Sequence, residues 1–252
     1  MEHWANFLFH GELNDFLPKR YRQVGQQYHF SGSPALKDAI EALGVPHPEV
    51  GHVQQNGQEV LLKARLEPFA EVQVFPVVPE ASAVELPPLQ VPVPKPARFV
   101  LDVHLGKLAR YLRLLGFDTL YQNHYSDADI AALAAQEQRI VLTRDVGLLK
   151  QKQVVWGYWL RSQHWEEQLR EVINQFNLLP QVQPFCRCLA CNGEIARVSK
   201  EAVLPLLPPK TRLFFQEFYQ CPHCRRVYWK GSHYEKMERF LSHLRSSANL
   251  LP

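Results

Sequence analysis

Read for the spacing of its apolar residues, the chain changes character twice. Trp4 to Phe9 is an apolar run with the look of a strand, and Pro34 to Leu43 reads as a short helix stopped by Gly44. Two further strands flank the turn signal Asn56-Gly57, and a last one spans Glu71 to Phe75. Strands, then a helix, then strands predict a small α+β domain over residues 1–80. Seven prolines between Pro76 and Pro96 break all periodicity, which predicts an extended linker over 81–97.

Beyond the prolines the pattern becomes alternating. Arg98 to Val103 is a β-branched and aromatic strand, and Leu105, Leu108, Ala109, Leu112 and Leu115 recur at helical spacing before Gly116. A strand at Phe117 to Tyr121, a helix from Asp127 to Gln138 and a strand at Arg139 to Thr143 follow. A short helix near Val146 to Lys150, a strand at Val154 to Leu160 and a helix from Gln163 to Phe176 complete the series. This βαβαβ order demands a parallel sheet with right-handed crossovers over 98–184. From Cys186 the periodicity fades, and 185–252 reads as a cysteine-built module with a C-terminal helix.

In a parallel sheet, loops at the carboxyl ends of the strands converge on a crevice. Asp102 ends the first of these strands and Asp145 follows "RIVLT", so both are expected there; Asp127 and Asp129 open the helix before that strand. Clustered carboxylates without basic partners are costly to keep charged, and magnesium or manganese is the usual remedy. Such a site can activate water for phosphodiester hydrolysis. Ser126 and Asp129 also match a capping box, Asp127 also suits the first turn of a helix, and Asp145 could cap the short helix that follows it. Lys107, Arg110 and Arg113, at i, i+3 and i+6, predict a basic ridge that could hold a phosphate backbone or simply be solvated. Arg144, Lys230 and His233 extend the basic set, the last two beside Trp229 and Tyr234, a mixture suited to stacking on bases.

Charge and cysteines add to this picture. The net charge of +3 is unevenly spread: residues 1–97 hold 7 basic and 11 acidic side chains, and residues 186–252 hold 11 and 5. The tail therefore suits a polyanion. A composition 46% hydrophobic and 21% charged excludes wholesale disorder. No apolar run is long enough for a membrane span and the N-terminus lacks a secretion signal, so a cytoplasmic protein with reduced thiols is expected. Of five cysteines, Cys188 and Cys191 form one C-x-x-C turn and Cys221 and Cys224 another, the ligand pattern of a structural zinc ribbon. The 29 residues between the turns imply an insertion, placed at Ser199 to Thr211; Cys186 is left over, free or competing with Cys188.

Two resemblances follow. "AIEALGVPHPEVGHVQQNG" is similar to the ubiquitin-like, β-grasp domains related to sulfur carriers, without the diglycine tail that sulfur chemistry needs, which leaves a structural or partner-binding role. "FVLDVHLGKLARYLRLLGFDT", "RIVLTRD", "CRCLACNG" and "CPHCRRVYWKGSHYEKM", in this order, resemble the Mut-7 C-terminal RNase family. That resemblance implies a PIN-like α/β fold with flanking helices, preceded by the ubiquitin-like domain and followed by the zinc ribbon. It also implies metal-dependent hydrolysis of RNA with Asp102, Asp127 and Asp145 as the acids and Cys188, Cys191, Cys221 and Cys224 as zinc ligands. RNA is then the expected partner, with a possible protein partner through the N-terminal domain. The rival expectation is a non-catalytic RNA- or protein-binding module.

Overall fold

The computed structural model describes residues 2–79 and 91–248; the linker expectation for 81–90 lies outside the described residues. The N-terminal elements are β1 (Glu2–Phe9), β2 (Gln26–Ser31), α1 (Leu36–Ala42), β3 (Val50–Gln55), β4 (Gln58–Val60) and β5 (Glu71–Pro76). The middle of the chain forms β6 (Arg98–Leu101), α2 (Gly106–Leu114), β7 (Asp118–Leu120), α3 (Asp127–Glu137), β8 (Ile140–Thr143), α4 (Val146–Leu149), β9 (Gly157–Trp159) and α5 (Trp165–Gln175). The remainder forms β10 (Ala196–Val198), α6 (Lys200–Val203), α7 (Pro209–Phe214), β11 (Phe218–Gln220), β12 (Val227–Tyr228) and α8 (Ser232–Ala248). These elements gather into two compact units, one of residues 1–103 and 123–161, the other of 104–122 and 162–252. Among the described residues no helix is long and apolar enough to cross a membrane.

The first unit opens with a five-stranded sheet in the order β2-β1-β5-β3-β4. β1 and β5 run parallel at its centre and the outer pairs are antiparallel, with α1 over one face, which is the β-grasp arrangement. Alternation along β1 turns Ala5, Phe7 and Phe9 inward, where they meet Leu36 and Ile40 of α1 and Val53, Val72 and Val74 of β3 and β5. Asn56 and Gly57 both have positive φ (54° and 77°), the geometry of the two-residue hairpin turn that glycine makes accessible.

The same unit holds the parallel strands β6, β8 and β9. Phe99 pairs with Ile140 and Leu101 with Leu142, while Val141 pairs with Gly157 and Thr143 with Trp159. All four residues of β8 are buried, as expected of a parallel strand covered on both faces, and α3 packs on β6 and β8. The β-grasp domain is fastened to this layer. Lys150 Nζ donates to Glu41 O at 2.6 Å, His47 Nε2 lies 2.8 Å from Val154 O, and Phe16 leans on Trp159. Glu49 is 5% exposed; it accepts the Trp159 amide at 2.5 Å and faces Arg161, which also meets Glu12 and Asp15. Burial pushes the Glu49 carboxyl up from 4.5 to about 7, against the pull of Arg161 and the Trp159 amide.

In the second unit α2 packs on α5, Leu108, Ala109 and Leu112 of α2 are buried, and Tyr111 stacks on Trp165 at 3.7 Å. Gly116 ends this helix turn with φ of +99°, and a Cβ there would fall 2.2 Å from Gln183 O, so both backbone conformation and space require glycine. The cysteine module is a three-stranded antiparallel sheet, β10-β11-β12, with α6 and α7 occupying the insertion between the C-x-x-C turns. Its own core is small: Val203, Leu207 and Phe218, edged by Phe215 and Trp229.

Candidate functional site

The carboxylate site grows out of the parallel register. Because Leu101 pairs with Leu142, the next residues, Asp102 and Thr143, emerge side by side at the carboxyl ends of β6 and β8. Thr143 Oγ1 donates to Asp102 Oδ2 at 2.7 Å and accepts the Asp145 amide at 2.8 Å, so one buried hydroxyl ties both strand-end acids together. Asp102 is 8% exposed and Asp145 is exposed. Asp145 caps α4 by accepting the Gly147 amide on Oδ1 at 2.6 Å, a bond that uses one of its two oxygens.

Asp127 begins α3. Its carboxyl is pushed above the ordinary carboxylate value by partial burial, then by the charge of Asp145, then by that of Asp102. The three acids therefore share one electrostatic environment, and none of them makes an ion pair among the described residues. Asp129 stands apart. Its Oδ2 accepts the Ser126 amide at 2.9 Å and the Ser126 hydroxyl at 2.7 Å, a complete capping box. Those bonds hold its carboxyl below the usual range.

The four cysteines are drawn closer. Among the described residues they form a group of metal-capable side chains whose donor atoms all lie within 4.8 Å of one another, and they could hold a metal ion. Cys188 Sγ lies 3.4 Å from Cys224 Sγ and Cys191 Sγ 3.5 Å from Cys221 Sγ. Thiolates around a tetrahedral zinc stand about 3.8 Å apart, from Zn–S distances of about 2.3 Å, so the cluster is close to that geometry. Burial works against the Cys188 thiolate, but hydrogen bonds from the Tyr228 hydroxyl and from the Cys191 and Ala190 amides outweigh it and bring the thiol down to about 6. Burial and neighbouring thiols push Cys191 up to about 12. Four such thiols cannot all ionise unaided, and a dication is the natural counter-charge. Cys186 lies outside the cluster, its thiol bonded to Gln183 O at 3.1 Å, and His223 is an exposed residue of the second turn.

The cysteine module is tied to α2 and β7 by polar bonds. Arg113 is 4% exposed and donates to the carbonyls of Thr119, Leu189 and Ala190. The expectation that Arg113 belongs to a solvent-facing ridge is thereby corrected: its guanidinium holds the first cysteine turn in place. Asn192 continues the seam, accepting the Thr119 amide and donating to Asp118.

Lys107 and Arg110 remain exposed, Lys107 over the Trp165 ring at 4.8 Å. Arg144 donates to Leu160 O and Arg161 O, which holds the chain after β9. Lys230 is exposed, 3.9 Å from Glu217 and 5.5 Å above the Tyr234 ring. His233 is in the first turn of α8, and its side chain lies outside the described residues. Sequence reasoning missed Thr143, whose signal is its place at the end of "IVLT", two residues before Asp145.

Against known proteins, a family model described as the Mut7-C RNAse domain matches residues 97–241, and one described as Mut7-C ubiquitin matches residues 2–82. No curated protein and no solved structure matches the chain.

Proposed function

The chain belongs to the Mut7-C RNAse domain family, and on that premise we propose that it hydrolyses RNA phosphodiester bonds at Asp102, Asp127 and Asp145. The observation that carries the reading is the convergence of three acids: Thr143 ties Asp102 to Asp145, and the Asp127 carboxyl is held up by partial burial and then by the charges of Asp145 and Asp102, with no cation paired to any of the three among the described residues. Mutual repulsion of this kind is an energetic cost unless a hard dication relieves it, and oxygen ligands suit magnesium or manganese. A divalent ion bound there supplies Lewis-acid activation of water and of the leaving oxygen.

The residues of the chain have separate tasks in this reading. Thr143 fixes Asp102 and Asp145 relative to each other through its hydroxyl. Asp127, at the start of α3, completes the ligand set. Asp129 holds the start of α3 and thereby the position of Asp127, without entering the ligand set. Lys107 and Arg110, exposed on α2 in the other unit, offer positive charge to a phosphate backbone, which supplies affinity independent of sequence. Cys188, Cys191, Cys221 and Cys224 would hold a zinc ion in a structural role, since four protein thiolates would leave it no open position for substrate.

The test is cleavage of labelled single-stranded and structured RNA by the full chain with magnesium or with manganese, beside Asp102→Asn and Asp145→Asn. Metal-dependent cleavage that falls on the order of 100-fold or more in both variants supports the assignment. Binding of RNA without cleavage by any form, wild type included, would leave the RNA-binding module as the function.

A further inference from the structure

A second site lies wholly within the unit that carries the cysteines. Arg110, Leu114, Phe185, Tyr228, Trp229 and Tyr234 enclose a cavity of about 220 Å³ between α2, the ribbon and the start of α8. A neighbouring depression shares Arg110, Leu189, Val227 and Tyr228 and adds Arg226. We propose that this cavity receives one unpaired nucleobase of an RNA chain, with the adjoining phosphates met by Arg110 and Arg226. The inference rests on the reading of the protein as an RNA-processing enzyme and adds to it a second place where the strand is gripped, in the unit that carries the cysteines.

The walls are aromatic and fixed before any ligand arrives. The Tyr228 hydroxyl accepts the Leu189 amide at 3.1 Å and lies 3.1 Å from Cys188 Sγ, which pins the ring to the cysteine cluster. Phe185 stands edge-on to Tyr219 at 5.0 Å and to Tyr234 at 5.2 Å, and Trp229 is braced by Phe215 at 6.3 Å. A base entering such a space finds ring faces without the cost of ordering them. The volume falls below the roughly 300–1,000 Å³ of pockets that take drug-sized ligands, so it suits one flat ring system while the sugar and phosphate stay outside.

Charge decides between a base and an apolar side chain of another protein. Arg110 and Arg226 are exposed, and their guanidinium groups make no hydrogen bond or ion pair among the described residues. No acid lines either space. Of the acids around it, Glu238 is engaged with the Tyr234 hydroxyl and Glu217 with Arg197 and, more distantly, Lys230, while Glu235 is exposed. An aromatic cavity rimmed by uncommitted arginines matches a base joined to phosphates, and single-stranded RNA is the form whose bases can be turned out of a stack.

The experiment measures binding of the full chain, in buffer without magnesium or manganese, to a fluorescent ten-nucleotide single-stranded RNA and to a ribose-phosphate backbone of the same length without bases. The wild type should bind the RNA about tenfold more tightly than the base-free backbone. Trp229→Ala, and Ser232→Phe, which plugs the cavity from its exposed rim, should each remove that advantage and leave binding of the base-free backbone unchanged; thermal unfolding and metal content confirm that both variants are folded. Arg110→Gln should weaken both probes and lower the salt dependence by about one phosphate contact. Equal affinity of the wild type for the two probes, or full RNA affinity in both cavity variants, overturns the inference while the ribonuclease reading stands. Failure of both probes to bind, together with absent cleavage, overturns both readings and leaves an apolar side chain of a protein partner as the occupant.

Discussion

The β-grasp domain buries Phe7, Phe9, Leu36, Ile40 and Val53 in one continuous core, whereas the cysteine ribbon buries Val203, Leu207 and Phe218 and then relies on four thiols within 4.8 Å. A sheet of five strands with a helix over it can exclude water by itself. A sheet of three strands, each no longer than three residues, cannot, and what is left to offset the cost of ordering it is the four-thiol cluster, which could hold a metal ion, and the bonds from Arg113. The comparison teaches that the two ends of the chain should fail in different ways. One responds to loss of buried carbon and the other to loss of the ion.

The largest effect is therefore expected from Cys221→Ser. Structural zinc in small domains contributes on the order of 10–16 kcal/mol, so loss of one thiolate should unfold the ribbon. Limited proteolysis should then cut within residues 186–230 while the β-grasp domain resists; an uncut ribbon with undiminished metal content would break the comparison. Phe7→Ala should act in the opposite sense, costing about 3–5 kcal/mol in denaturant unfolding of the β-grasp domain with metal content unchanged.

A smaller effect comes from pH at the buried Glu49. Its folded value, about 7, lies above the ordinary 4.5, so between these values the folded chain retains a proton that the unfolded chain has released. The stabilisation is fully present below pH 4.5 and is lost as pH rises through about 7, amounting to as much as about 3 kcal/mol. Thermal unfolding across that range should show the decline in wild type and a flatter profile in Glu49→Gln; identical profiles would show that the carboxyl does not titrate there. Smallest of all, Asp129→Ala should lower stability slightly in thermal unfolding, because it removes the N3 half of the capping box with Ser126.

Much of this was legible in the residues, for identifiable reasons. The apolar run of β1, the Asn56-Gly57 turn and the apolar run of β8 are local signals, and the structure honours each of them. β2 was not legible, because "QQYHFS" is an edge strand with one buried residue and so lacks a core-facing pattern. Arg113 was misplaced because steps of three residues fall about 60° short of a full turn. Two such steps from Lys107 carry it round by about 120°, off the exposed face and into the ribbon seam. Thr143 escaped notice because its role depends on the register between β6 and β8, which no single segment encodes. The aromatic residues near α8 were visible as a mixture, but the cavity also needs Arg110 and Leu114 from a helix more than a hundred residues earlier.

The most direct test of the central claim is manganese binding to the zinc-loaded full chain, followed by electron paramagnetic resonance, in wild type, Asp102→Asn and Asp127→Asn. The account predicts a manganese site in the wild type that each substitution weakens by at least about tenfold with zinc content unchanged. Manganese bound equally well by all three would contradict it, since the carboxylates would then not form the site on which the proposed hydrolysis depends.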